Sequence, residues 1–268
     1  MIQISIQDII SVTGGKLLSG DPETRVSLFA VDSRAVKPGT LFTAVTGGNS
    51  DGHLYLKKAF ENGASAALVS EACVPDVYGP DGVEETFANF PMILVPDTVE
   101  ALQKAGELKR SRHHIPAVGV TGSVGKTTSR EMISYALSAE RNVFTTAKNY
   151  NNRIGVPLTL SEISEEHEIA VLELGMNVPG ELGTISALTD LDSALITNVG
   201  VAHIEYYGTK DAIAKEKFTV TRGFSSGRTE EKMLFLNHDD PLLMKYRDMT
   251  GFPVTTFGLT EGSDYRAS

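Results

Sequence analysis

The segment Gly119-Val-Thr-Gly-Ser-Val-Gly-Lys-Thr-Thr128 is a glycine-rich turn closing on Gly125-Lys126-Thr127, with the apolar run Ala117 to Val120 before it. Such a turn binds phosphate: glycines let backbone N–H groups approach a polyphosphate, the lysine neutralises its terminal groups, and the hydroxyl holds magnesium. Ser129 to Glu140 carries Met132, Ile133, Ala136 and Leu137 at helical spacing, so strand, turn and helix follow in the required order. The loop is a variant, because Val120 stands five positions before Gly125 where the common pattern has glycine, and glycines occur at Gly119 and Gly122 instead. The alternative is a strand-to-helix turn that carries no ligand. On the binding reading, Thr121, Gly122, Ser123, Val124, Gly125, Lys126, Thr127 and Thr128 form the ATP loop.

Around this loop the chain reads as α/β. Apolar segments recur at Val118–Thr121, Ile169–Leu174, Ala194–Val199, Met233–Asn237 and Val254–Phe257 with helical sequence between them, the rhythm of a mostly parallel sheet. Upstream, Ser27–Val31 and Thr40–Val45 read as strands and Leu54–Asn62 as a helix capped by Gly63. The character changes near Pro96, where an apolar run gives way to a polar helix over Val99–Arg112. A boundary there predicts a small N-terminal α/β domain over residues 1–97 and a central ATP-binding domain over 98–268. The stretch Val74–Phe90 reads as an irregular surface loop.

A formal charge of −10 in 268 residues argues against a nucleic-acid partner, which would need basic surface. The start lacks the basic flank and long apolar core of a signal peptide, and no apolar run approaches bilayer length, so the cytoplasm is expected and no membrane partner. Cys73 is the single cysteine and reads as a packing residue.

In parallel sheets ligands sit beyond the carboxyl ends of strands, which gives weight to three further positions. Glu173 closes an aliphatic strand, where a charge is costly unless it is paired or ligates a metal; magnesium with Thr127 would satisfy it, and so would an arginine. His203 follows Thr197-Asn-Val-Gly-Val-Ala202 after the next strand, and Lys215 and Lys217 follow on a helix. Spacing alone leaves the roles of these last three open.

Taken together, these residues identify the chain as resembling the Mur ligases, ATP-dependent amide-forming enzymes of peptidoglycan precursor synthesis. The resemblance runs through most of the chain. It rests on Asp32-Ser-Arg34 with Pro38-Gly39 and Leu41-Phe42, Gly48 with Asp51-Gly-His53, the variant phosphate loop, Asn149, Asn151-Asn152 and Gly155-Val-Pro157, Glu173-Leu-Gly175, Asn198 to His203, and Ala214 with Glu216-Lys217. The nearest branch is the one that adds D-alanyl-D-alanine to UDP-N-acetylmuramoyl-tripeptide.

The resemblance implies a uridine-nucleotide-binding first domain in which Ser33, Arg34, Asn49 and Asp51 hold the UDP part of the substrate; asparagine and aspartate turns are the structural alternative. It implies that Asn149, Asn151 and Asn152 face the muramoyl portion and the acyl phosphate, or else cap and turn the backbone. It makes Lys126, His203 and Lys217 catalytic, with Lys217 carried as a carbamate. That carbamate, an anionic ligand, would join Thr127, Glu173 and His203 around Mg2+. The implied cofactors are ATP and Mg2+, the partners are the UDP-linked tripeptide and D-alanyl-D-alanine, and the expected state is a monomer. Mur ligases carry a third, C-terminal domain that this sequence does not show, so a fragment with an incomplete central sheet is expected. The rival readings are another amide ligase of the same mechanism, a non-catalytic UDP-precursor-binding or regulatory protein, and a generic P-loop kinase or GTPase, for which no Asn-Lys-x-Asp guanine-reading segment is present.

Overall fold

The computed structural model describes residues 1–48, 50–70, 78–79, 82–83, 87–224 and 231–267. Asn49 and Cys73 fall outside these residues. The contacts divide the chain into two compact units, one of residues 1–113 with 157–164 and one of residues 114–156 with 165–268.

The first unit is built on a five-stranded sheet of β1 (Lys16–Ser19), β2 (Leu28–Ala30), β3 (Thr40–Thr43), β4 (Ala64–Val69) and β5 (Met92–Leu94), in the order β1-β5-β4-β3-β2. Only the β1–β5 pairing is antiparallel. Its inner strands are buried along nearly their whole length, as parallel strands covered on both faces should be. Helix α1 (Ile6–Thr13) starts with a reciprocal capping box between Ser5 and Asp8 and ends on left-handed Gly14. The reading of Leu54–Asn62 as one helix resolves into a 3-10 turn over Gly52–Tyr55 and α2 (Leu56–Glu61).

Two features differ from the sequence reading. Helix α3 (Thr98–Ser111), capped by Asp97, buries Ala101, Leu102 and Ala105 and packs on α1, β3 and β4. The division therefore falls after His113 and not near Pro96: the change in composition marks the helix start, while the apolar face of α3 belongs to the first core. The stretch read as a surface loop up to Phe90 ends in the core, because Phe87 and Phe90 are both 3% exposed and pack edge-on with Phe60. Residues 74–77, 80–81 and 84–86 of that stretch lie outside the described residues.

The second unit carries a seven-stranded, wholly parallel sheet of β6 (Ala117–Thr121), β7 (Val143–Thr145), β8 (Ile169–Glu173), β9 (Ser193–Ile196), β10 (Met233–Asn237), β11 (Val254–Gly258) and β12 (Tyr265–Arg266). The order is β7-β8-β6-β9-β10-β11-β12. Helix α4 (Lys126–Leu137) packs on β6, β7 and β8. The sequence pattern does not announce β12; Asp264 anchors it by accepting the Thr256 amide and hydroxyl at 2.8 and 2.7 Å. Strand β6 lies between β8 and β9; the chain leaves β6 for β7 on one side, and β9 leads on to β10 on the other, so the direction of the connections reverses beside β6. In an open parallel sheet the crevice for a ligand opens at that reversal, beyond the strand ends. Among the described residues no helix is long and apolar enough to cross a membrane.

Candidate functional site

Four strand ends converge on the reversal point: β6 runs into the phosphate loop, β8 ends in Glu173, β9 runs into Thr197 to His203, and β10 runs into Asn237 to Asp240. The loop turns into α4 at Gly125, whose φ of 81° lies in the left-handed region. No side chain caps the helix, so the N–H groups of its first turn remain available to an anion, reinforced by the helix dipole. Gly122 has φ 149°, and a Cβ there would stand 1.8 Å from Thr197 Oγ1, so only glycine lets the β6 and β9 ends approach. Helix α4 begins at Lys126, three residues before the segment that the sequence reading took as helical.

Lys126 folds back so that Nζ donates to the Gly122 carbonyl at 2.9 Å. Burial lowers its pKa, and the Glu173 carboxylate opposes that shift. Thr127 Oγ1 donates to Glu173 Oε2 at 2.8 Å, which brings together the two oxygen ligands expected for magnesium. Glu173 is 2% exposed. It also accepts Arg130 Nη1 on Oε2 at 3.2 Å and Asn151 Nδ2 on Oε1 at 2.7 Å. The two readings of Glu173, magnesium ligand or arginine partner, thus meet in one carboxylate. Arg130, which lies one turn of α4 after Lys126, is a site residue that sequence reasoning missed; its i+4 spacing from Lys126 was the available signal.

The three asparagines separate by role. Asn149 is exposed, Asn151 reaches Glu173, and Asn152 Oδ1 accepts the Ile154 and Gly155 N–H groups at 3.1 and 2.8 Å, opening helix α5 (Gly155–Glu162). Asn152 therefore acts as a cap.

The structure also separates the two lysines of α8 (Lys210–Phe218). Lys215 is exposed and lies over the Tyr246 ring, whereas Lys217 is 1% exposed with its Nζ 3.7 Å from Met176 Sδ. Burial, with the nearby Lys126 charge adding to it, pulls the Lys217 pKa down to about 7. Its neighbour Glu216 accepts the Gly180 and Leu182 N–H groups at the start of α6 (Glu181–Ala187). Glu181 accepts the Asn177 N–H at 2.6 Å. Burial pushes the Tyr207 phenol up, with Glu216 and Glu181 contributing. His203 is half-buried and takes a left-handed conformation, φ 63°, as it leads into the short helix α7 (Ile204–Tyr207). Among the described residues no three histidine, cysteine, aspartate or glutamate side chains come together as a metal-holding group. Of the four residues expected around magnesium, Thr127 and Glu173 are brought into hydrogen-bond contact, while Lys217 Nζ lies against Met176.

In the first unit, Ser33 is buried in a 3-10 turn capped by Asp32. Arg34 is exposed and closed on Asp32 through Nε and Nη2 at 2.9 and 2.7 Å, and its hydrogen bonds hold the Asp32 carboxyl down to about 2. Asp51 accepts the His53 N–H and contacts His53 Nδ1 at 2.6 Å, while His53 Nε2 accepts the Ser70 N–H at 3.0 Å. Asp51 therefore serves the turn directly, whatever it does for a ligand.

The architecture and this glycine-rich site have counterparts in known proteins. The Mur ligase middle domain matches residues 120–268, and the catalytic domain of the Mur ligase family matches residues 25–110. The UDP-N-acetylmuramoyl-tripeptide--D-alanyl-D-alanine ligase of Synechocystis is 37% identical over 98% of the chain, which spans 55% of that protein. The structure of MurF from Acinetobacter baumannii superposes with a TM-score of 0.82 at 28% identity, over 98% of this chain and 54% of that one. That of the MurF ligase from Thermotoga maritima in complex with ADP does so with a TM-score of 0.74 at 30% identity, over 89% and 52%. The chain thus spans about half the length of the relatives it matches, and from its phosphate loop to its parallel sheet it belongs to the Mur ligase family.

Proposed function

We propose that this chain supplies the UDP-precursor-binding and ATP-binding parts of an ATP-dependent ligase that adds D-alanyl-D-alanine to UDP-N-acetylmuramoyl-tripeptide. The observation that carries the reading is the phosphate loop with its uncapped α4 N-terminus, where Lys126 and the Thr127–Glu173 pair stand together. A triphosphate laid on the first-turn N–H groups of α4 would meet Lys126, which would leave the Gly122 carbonyl to neutralise the transferring phosphoryl group. Thr127 and Glu173 would hold Mg2+, which supplies charge neutralisation on the β- and γ-phosphates.

Lys217 fits the carbamate reading on two counts. A pKa of about 7 leaves about half of it as the free amine at neutral pH, the form that adds to CO2 with loss of a proton. The product is an anionic oxygen ligand where the ammonium would repel a metal. Asn151 would orient Glu173, and His203 and Asn149 would line the approach of the substrate carboxylate. Ser33, Arg34, Asn49 and Asp51 would hold the UDP moiety. Phosphorylation of the tripeptide's terminal carboxylate would give an acyl phosphate, and the amine of D-alanyl-D-alanine would displace phosphate from it. The setting is the cytoplasm and the state a monomer.

The test is ADP release by the chain with Mg2+, ATP and UDP-N-acetylmuramoyl-tripeptide, with and without D-alanyl-D-alanine, beside Lys126→Ala. Binding of UDP-N-acetylmuramoyl-tripeptide and Mg·ADP with little or no release is the outcome expected of a chain that supplies these two parts; release that needs both substrates and vanishes in the variant would support the ligase chemistry but show the chain self-sufficient. ATP turnover indifferent to both substrates, or unchanged in Lys126→Ala, refutes it.

A further inference from the structure

The second unit holds a set of contacts that the phosphate-loop reading leaves unused. Asn198, two residues past β9, grips a single residue of the loop from both sides: its Oδ1 accepts the Val124 N–H at 3.1 Å and its Nδ2 donates to the Val124 carbonyl at 3.0 Å. Thr197 Oγ1 donates to the same carbonyl at 2.6 Å. The Asn198 carbonyl accepts the Ser123 N–H at 3.1 Å, and Ser123 Oγ accepts the Gly200 N–H at 2.7 Å. The clamp is itself held, since Asp240 Oδ2 accepts the Val199 N–H at 2.6 Å while its Oδ1 caps helix α9 (Pro241–Tyr246).

These bonds have a directional consequence. In a trans peptide the C=O and the following N–H point opposite ways. Pinning the Val124 carbonyl toward Thr197 and Asn198 therefore aims the Gly125 N–H away from them, to the side on which the α4 N-terminus opens. The Ser123 and Val124 N–H groups are engaged by Asn198, so anion binding falls to the N–H groups from Gly125 onward. Val124 is exposed. Nothing in its own packing would hold the crown of the loop.

We infer that Asn198, seconded by Thr197, is a positioning residue that presets the phosphate loop for nucleotide by fixing the Val124–Gly125 peptide plane. This rests on the nucleotide reading of the loop.

Two measurements on the whole chain test it: amide hydrogen exchange of Ser123 and Val124 without nucleotide, and calorimetric affinity for Mg·ADP. Expected are slow exchange of the Val124 N–H in the unaltered chain, and at least tenfold faster exchange there in Asn198→Ala with amides of β6 and β8 unchanged. Mg·ADP binding should weaken about tenfold to a hundredfold, the scale of one or two lost hydrogen bonds. Thr197→Val should weaken binding less, and Thr197→Ser, which keeps the hydroxyl, should restore it. Asn198→Ala with Val124 still protected and Mg·ADP affinity unchanged overturns the clamp. Uniformly faster exchange across the sheet with lost binding assigns Asn198 a merely structural role and overturns it equally. Absence of Mg·ADP binding by the unaltered chain overturns the nucleotide reading itself.

Discussion

Replacing Lys217 with methionine should flatten the dependence of stability on pH above neutrality. In the fold the lysine titrates near pH 7, because burial and the Lys126 charge disfavour its ammonium, while in the unfolded chain it titrates near 10.5. Between those values the unfolded chain binds more protons, so stability rises with pH across that window; the cost is full below pH 7 and gone above pH 10.5. The gap of 3.5 (10.5 − 7) corresponds at 1.36 kcal/mol per pH unit to at most ~5 kcal/mol. Of this, about 3 kcal/mol returns between about pH 7 and pH 9.5. Urea unfolding followed by far-UV circular dichroism in CO2-free buffer measures it. The unaltered chain should gain roughly 3 kcal/mol over that interval relative to Lys217→Met. Lys109, whose burial lowers its pKa to about 8, is present in both proteins and cancels in the comparison. Two curves that run parallel from pH 7 upward would mean that Lys217 is solvated or already paired in the fold, and the free-amine route to the carbamate would fall with it.

Three further outcomes follow from named contacts. Glu173→Gln leaves the buried Arg130 guanidinium with only the exposed Glu131 carboxylate, so stability should drop by about 1–3 kcal/mol and Mg2+ should no longer tighten ADP binding; magnesium-dependent binding as strong as before would remove Glu173 from the metal. Gly122→Ala forces a Cβ into Thr197 Oγ1 at a left-handed φ, and should cut Mg·ADP affinity at least tenfold while Thr197→Ala in the same chain partly restores it. Lys109→Met removes the buried donor to the Ser27 and Ser161 carbonyls and should cost about 2 kcal/mol in a denaturation experiment at pH 10, where burial of the ammonium no longer opposes folding; no loss there would show that those carbonyls find other partners.

Much of the site was legible in the sequence where chemistry and position coincide. The Gly-Lys-Thr loop, a carboxylate closing an aliphatic strand and the asparagine-rich turn all stand at strand ends, and the fold brings Lys126, Thr127, Asn151 and Glu173 together there. Less legible were residues whose partners are remote in sequence. Arg130 looks like an ordinary helix-surface cation until Glu173 lies beside it, and Asn198 looks like a turn residue until its amide meets Val124. The choice between Lys215 and Lys217 is of the same kind: the two lie on one short helix, and only packing against Met176 shows which one loses its solvent.

The sequence by itself determined the α/β class and the parallel strands around the phosphate loop, because periodicity and glycine chemistry act over a few residues and survive without tertiary context, and its motifs carried the resemblance to a ligase family. Tertiary structure alone decided the assignment of helix α3 to the first core, the sharing of Glu173 among Thr127, Arg130 and Asn151, the lowered pKa of Lys217 and the clamp on Val124. Each of these depends on burial and on distances between groups far apart in the chain, and both come into being only when the strands take their order in the sheet.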